Sequence, residues 1–196
     1  MDRREALKGL GFSMGYLVAT PTVISLLQSC KTDVVSWKPS FLTIDEGVVL
    51  RNLVDLILPK TEASPGALDV NVPEFIDVYA NKALDEQKQK EYKSGIEAIM
   101  DALQVSEKKP ASTLKTADYD TLLATYLKAS KEEQEKFSDE EQKVLNALYG
   151  LRGTSVWAYR TSQKIGEEVL AYDPIPGVQL GCISVEEATG GKRWSL

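Results

Sequence analysis

The chain has 196 residues, of which 43% are hydrophobic and 27% are charged, and its formal net charge is −6. This composition is typical of a globular domain, and an acidic chain without a basic stripe is a poor candidate for nucleic-acid binding. The sequence contains no histidine and only two cysteines, Cys30 and Cys182. Because histidine is the commonest general base and transition-metal ligand, we expect neither a histidine-dependent active site nor a bound metal or haem.

The first 29 residues have the pattern of an export signal. Arg3 and Arg4 precede a short apolar pair and a lysine, and residues 9–27 carry no charge. This stretch is about as long as the roughly 20 residues that cross a bilayer, but its glycines and proline weaken it as a permanent span. It resembles a twin-arginine signal, so we expect export of the chain to the periplasmic side of the membrane.

The end of this signal resembles a lipoprotein box. Leu27 stands three residues before Cys30, and the small residue Ser29 stands directly before it. We expect acylation of Cys30 and predict that the mostly polar residues 30–42 form a tether between lipid and fold. The alternative is a signal anchor with an incidental cysteine. With Cys30 acylated, Cys182 has no disulfide partner, and we expect it to be a buried small side chain.

The remaining sequence predicts an all-α fold. Thr43 and Glu46 form a capping box at the start of a helix that ends at Pro59, and Pro73 starts a second helix. No stretch alternates with period two for long, so we expect residues 43–171 to form a compact multi-helix domain. The apolar period and two further capping boxes predict later helices from Asp85, around Tyr119, from Ser130 and from Ser138.

The helical pattern resumes after Gly150 and Gly153, where we expect an interruption. We assign Trp157 and Tyr159, which follow these glycines, to the core, because aromatic side chains at helical spacing are more often core residues than ligand platforms.

Residues 172–196 differ from the rest of the chain. Their prolines and glycines oppose a helix and leave few strand positions, so we predict an extended C-terminal arm. The arm carries apolar side chains that need burial, and we expect it to bind a partner protein rather than to pack on its own helices. The predicted contact residues are Ile175, Val178, Leu180, Ile183 and Trp194.

The sequence contains no strong candidate for a catalytic residue. Four pairs of adjacent carboxylates lie mostly at helix starts, where they complement the helix dipole, so capping or solvation explains them better than acid–base chemistry. Ser112 and Lys115 have a Ser-x-x-Lys spacing without the other elements of that hydrolase class. No glycine-rich nucleotide loop or covalent haem motif occurs, and we predict no catalytic, cofactor-binding or metal-binding residue. The carboxylate pairs are Asp45/Glu46, Glu132/Glu133, Asp139/Glu140 and Glu167/Glu168.

The order of several segments resembles the gluconate 2-dehydrogenase small-subunit family, also called subunit 3. Besides the twin-arginine signal, these segments are LILP at 56–59, PGA at 65–67, VPEFID at 72–77, YDPIPG at 172–177, GCI at 181–183 and GKRW at 191–194. The resemblance implies a small subunit without a cofactor, beside a large FAD-binding dehydrogenase subunit of the GMC type and often a cytochrome c subunit. The large subunit would oxidise a sugar or sugar acid. The family supplies no catalytic residue, and the lipoprotein box departs from its usual signal.

The export signal agrees with this resemblance. The twin-arginine route carries folded cargo, and a small helical domain without a cofactor has no evident need of it. A flavoprotein partner that loads FAD in the cytoplasm would supply the need. We therefore expect a non-catalytic small subunit that assists export, membrane anchoring and assembly. The alternatives are a stand-alone periplasmic enzyme and a free-standing scaffold or ligand-binding lipoprotein.

Overall fold

The computed structural model describes residues 37–175, 177–178 and 181–195. The predicted signal with Arg3 and Arg4, the lipidation site Cys30 and the arm residue Leu180 lie outside these ranges. Seven α-helices and no β-strand occur within them, which confirms the all-α fold. None of these helices is both long and apolar enough to cross a membrane. The helices are α1 Ile44–Ile57, α2 Val72–Lys82, α3 Glu86–Ala102, α4 Thr116–Leu127, α5 Lys131–Gln134, α6 Asp139–Thr161 and α7 Val185–Thr189.

Local capping sets the helix starts, as the sequence predicts. At α1, the Glu46 backbone N–H donates to Thr43 Oγ1 over 3.3 Å, and the Thr43 N–H donates to Glu46 Oε2 over 2.7 Å. The same reciprocal box starts α5 at Ser130 and α6 at Ser138. Each box satisfies backbone donors that the first turn of a helix leaves free.

The longest helix, α6, packs against α1, α2, α3 and α4 and forms the centre of the domain. Its buried side chains include Leu148 and Leu151, which join the main hydrophobic core. Helix α3 approaches α6 closely at Gly95, where an added Cβ would lie 3.1 Å from the Cβ of Ala147. An alanine at Gly95 would require Ala147 to shift by a few tenths of an ångström.

Helix α6 runs without a break through Gly150 and Gly153, so the predicted interruption is wrong. Each glycine costs about 1 kcal/mol relative to alanine in a helix interior. The burial of Leu151 and Ala158 on the core face offsets this cost and carries the helix through to Thr161.

A buried carboxylate holds the start of the described chain onto α2. Asp77 is fully buried and accepts hydrogen bonds from the Ser40 backbone N–H at 2.6 Å, the Ser40 hydroxyl at 2.8 Å, the Phe41 N–H at 3.0 Å and the Leu42 N–H at 2.9 Å. Four donors from one short segment compensate the cost of burying this charge. The Asp77 contact therefore fixes where the predicted tether joins the helical domain.

Candidate partner-binding surface

Two of the sequence-derived catalytic candidates are capping residues. Glu46 and Glu133 close the capping boxes of α1 and α5, as the capping interpretation predicts. Ser112 and Lys115 are exposed on the connection before α4. In the described part of the chain, no three acidic or cysteine side chains lie close enough together to hold a metal ion.

Two buried tyrosines serve as core residues. Burial raises the pKa of Tyr119 to about 12, with the nearby charges of Asp118 and Asp45 adding to the effect. Burial also raises the pKa of Tyr92, helped by the charges of Asp77 and Glu46. Both phenols therefore hold their protons at neutral pH and are poor general bases.

Three aromatic side chains form a surface cluster where α2 lies against α6. Phe75 and Tyr79, one turn apart on α2, stack with ring centroids 6.0 Å apart. Trp157 of α6 lies 5.4 Å from the Phe75 ring and 5.2 Å from the Tyr79 ring. Trp157 is nevertheless 45% exposed and Phe75 is 43% exposed, so the prediction that Trp157 belongs to the core is wrong. We call Phe75, Tyr79 and Trp157 the aromatic cluster.

The C-terminal arm begins and ends at the same place. The Ala171 N–H donates to the Arg193 carbonyl over 2.9 Å, and the Ser195 N–H donates to the Ala171 carbonyl over 3.0 Å. This pairing is a parallel bridge between Ala171 and Trp194. The two ends of the arm are therefore held together by backbone hydrogen bonds, and this paired base of the arm follows the π-helical turn Ile165–Val169 in the chain.

The arm also contains the short helix α7, contrary to the prediction that it holds no helix. Ser184 and Glu187 form a capping box at its start, and Gly190 ends it with a positive φ of 61°. These capping signals act within a single turn, and they are sufficient to form a short helix despite the surrounding prolines and glycines.

The described apolar side chains of the arm remain largely or partly exposed in the single chain. Ile175 is 84% exposed and Val178 is 73% exposed, while Ile183 and Trp194 are each more than two-fifths exposed. Cys182 is exposed as well, so the expectation that it is buried is wrong. The arm thus adds apolar surface to the domain instead of filling its core.

A pocket of about 540 Å³ lies between the base of the arm and the end of α6. Three cationic side chains line it, from Arg160, Lys192 and Arg193, and none of its described lining residues is acidic. Its remaining lining is apolar or small and polar, and includes Ile183, Val185, Trp194 and Ser195. We call it the arm pocket.

The aromatic cluster and the arm pocket are neighbours along α6. Trp157 belongs to the cluster and Arg160 lines the pocket, and residues three apart on a helix lie next to each other on its surface. The two features together give one face of the domain exposed aromatic rings, exposed aliphatic side chains and a group of cations. Such a combination is typical of protein-binding surfaces, which are enriched in aromatic residues and arginine.

The comparisons with known proteins give one positive result. Residues 44–177 match the family described as gluconate 2-dehydrogenase subunit 3, a range that runs from the first residue of α1 into the arm and includes the aromatic cluster. No curated protein and no solved structure shows significant similarity. The match covers more than half of the sequence and includes four of the resembling segments, at 56–59, 65–67, 72–77 and 172–177. The chain therefore belongs to the gluconate 2-dehydrogenase subunit 3 family.

Proposed function

We propose that this chain is the non-catalytic small subunit of a membrane-associated, FAD-dependent sugar or sugar-acid dehydrogenase. Membership of the subunit 3 family supports an accessory subunit of a dehydrogenase complex with a larger subunit as its partner. The main structural support for this proposal is the exposed apolar face of the domain, which consists of the aromatic cluster and the arm. The FAD would reside in the larger, GMC-type subunit, with or without an additional cytochrome c subunit.

The aromatic cluster and the arm are the surface that we assign to the larger subunit. Soluble monomers seldom expose large contiguous apolar patches, and such patches commonly mark interfaces. Tryptophan and tyrosine are enriched among residues that dominate binding energy. Trp157 is supported on one side by Phe75 and Tyr79, so its exposed part is held in place before a partner arrives. An aromatic anchor that is ordered in advance loses less conformational entropy on binding.

The N-terminal segment supplies the second part of the proposed role. The twin-arginine pattern at Arg3 and Arg4 would export the complex after the larger subunit has folded around its flavin. Acylation at Cys30 would then hold the complex on the periplasmic face of the membrane, with the predicted tether of residues 30–42 between the lipid and the helices.

The test compares Trp157→Ala with Tyr149→Ala in the co-expressed complex. Both side chains are exposed on α6, but Tyr149 lies outside the aromatic cluster. Loss of a hot-spot aromatic costs about 2 kcal/mol or more, which is an affinity loss of roughly 30-fold. We expect that loss for Trp157→Ala and a change of about two-fold or less for Tyr149→Ala.

Truncation after Tyr172 tests the arm in the same assay. The helical domain should still melt cooperatively, while co-purification with the larger subunit is lost. Normal co-purification of both Trp157→Ala and the truncated chain would refute the assigned surface. Recovery of the native chain without any dehydrogenase would favour a free-standing scaffold or ligand-binding lipoprotein.

A further inference from the structure

We infer that the arm pocket is a carboxylate-binding site that receives an acidic side chain of the larger dehydrogenase subunit. This inference rests on the proposed function and names the chemistry that the partner must present. It follows from the charge of the pocket, from its unpaired donors and from the apolar rim around them.

The pocket concentrates positive charge in an acidic protein. The whole chain has a net charge of −6, yet Arg160, Lys192 and Arg193 line one pocket together. None of the three forms an ion pair with another described residue, since the ion pairs there are Lys60–Asp69 and Lys88–Asp85. Three neighbouring cations without a counter-charge repel one another, and an anion between them relieves this repulsion.

Glu186 and Glu187 of α7 lie between pocket-lining residues in the sequence, but neither forms an ion pair with a described cation. The Glu187 carboxylate accepts hydrogen bonds from the Ser184 backbone N–H at 3.0 Å and the Ser184 hydroxyl at 2.9 Å. The Glu186 carboxylate lies against Gly191, with Oε2 2.8 Å from the position that a Cβ would take there. Neither carboxylate lies within ion-pair distance, 4.0 Å, of Arg160, Lys192 or Arg193.

Two buried polar atoms at the pocket also lack partners. Arg160 Nε and Ser195 Oγ are both buried and have no hydrogen-bond partner among the described residues. Buried donors are rarely left unpaired, because each then loses its hydrogen bonds to water without replacement. A guanidinium can bind a carboxylate through two parallel hydrogen bonds, one of them from Nε. A carboxylate seated beside Arg160 would satisfy both its charge and its unpaired donor.

The surroundings of the cations favour a carboxylate carried by a protein over a free small anion. Ile183, Val185 and Trp194 line the same pocket and are exposed to solvent. A volume of about 540 Å³ holds more than one side chain, so the acidic group can arrive with apolar neighbours. The pocket also continues the surface assigned to the larger subunit, because Arg160 follows Trp157 by one turn of α6.

The experiment uses the full complex, captured through a tag on the larger subunit. The dissociation half-life of this chain is measured at 150 mM NaCl for Arg160→Gln and for the double variant Lys192→Gln with Arg193→Gln. Arg152→Gln is the matched control, because Arg152 is exposed on α6, rests on the Tyr149 ring and does not line the pocket. Since Lys192 and Arg193 are exposed, the double variant leaves the fold intact and keeps the test decisive if Arg160→Gln unfolds.

We expect both pocket variants to shorten the half-life by about 10-fold or more, because removing one partner of a close charge pair acts mainly on dissociation. The control should stay within about two-fold of the unchanged complex. The half-life of the unchanged complex should also fall more steeply between 50 and 500 mM NaCl than that of the double variant, which has fewer ion pairs to screen.

Three results separate the failures. If Trp157→Ala shortens the half-life but the pocket variants match Arg152→Gln, the pocket inference is wrong and the proposed function stands. If none of these variants has an effect, the assigned surface itself is wrong. In a separate experiment, the isolated full chain is heated with 10 mM sodium gluconate or inorganic phosphate, and its melting temperature is measured. A rise in melting temperature that the double variant abolishes, together with unchanged partner dissociation, would assign the pocket to a free anion and overturn the inference.

Discussion

Replacing Asp77 by alanine should destabilise the domain more than any surface substitution. The carboxylate accepts four hydrogen bonds, three of them from consecutive backbone N–H groups at residues 40–42. Hydrogen bonds to a charged group contribute about 1.5–3 kcal/mol each, but they are not additive, and the freed segment can recover part of the loss by binding water. We therefore expect a loss of about 3–5 kcal/mol, the range measured when one partner of a buried charge is removed.

Two milder variants make the prediction quantitative. Ser40→Ala removes the hydroxyl donor to Asp77, together with the exposed hydrogen bond that this hydroxyl accepts from Asn81 Nδ2 at 3.2 Å, and should cost about 1 kcal/mol. Asp77→Asn keeps one oxygen acceptor, so it should fall between Ser40→Ala and Asp77→Ala. Asp55→Ala is the control, because Asp55 is exposed on α1 and should change stability by about 0.5 kcal/mol or less.

The assay is urea unfolding of the purified chain at pH 7, followed by the helical circular dichroism signal. The dependence of the unfolding free energy on urea concentration should stay constant, while the urea concentration at the midpoint falls. The variants alter the stability of the domain but not the surface exposed on unfolding. A loss below about 1 kcal/mol for Asp77→Ala would contradict this prediction. It would mean that the hydrogen bonds between Asp77 and residues 40–42 stabilise the fold no more than hydrogen bonds to water would.

Three further predictions concern other parts of the chain. Gly150→Ala and Gly153→Ala should each stabilise α6 by about 0.5–1 kcal/mol in the same urea assay, since a Cβ at either position meets no atom within 4 Å; a loss of stability would show a steric conflict. Because burial raises the pKa of Tyr119 from 10.0 to about 12, the stability that depends on its neutral phenol is present below pH 10 and is lost as the pH rises towards 12. Tyr119→Phe should remove this part of the alkaline destabilisation, and an unchanged pH profile would contradict it. Cys30→Ser should abolish the incorporation of labelled fatty acid and leave an unprocessed precursor, whereas equal labelling would exclude Cys30 as the lipidation site.

The helices could be predicted because their signals are local. The capping pairs at Thr43, Ser130 and Ser138 each act within one turn, and all three start helices in the structure. The same signal at Ser184 starts α7, where the surrounding prolines and glycines suggested that no helix could form. A capping box is a stronger guide than regional composition when the helix is only one or two turns long.

Burial was harder to predict because it depends on which elements meet. Trp157 has helical spacing and an apolar side chain, but it lies where α2 covers only part of α6. Cys182 is exposed because the arm runs outside the core, which its sequence neighbours do not reveal. The role of Asp77 has no local signal either, since its partners precede it by more than 30 residues in the chain. The cations of the arm pocket likewise come together only when the arm returns to α6.

The most direct test of the proposed role is the composition of the native complex. The full chain is purified from its own membrane in mild detergent, its partners are identified by mass, and the visible spectrum is recorded before and after the subunits are separated. We expect one larger dehydrogenase subunit that retains the whole flavin spectrum and a small chain without colour. Flavin retained by the small chain, or a small chain isolated without a dehydrogenase subunit, would contradict it.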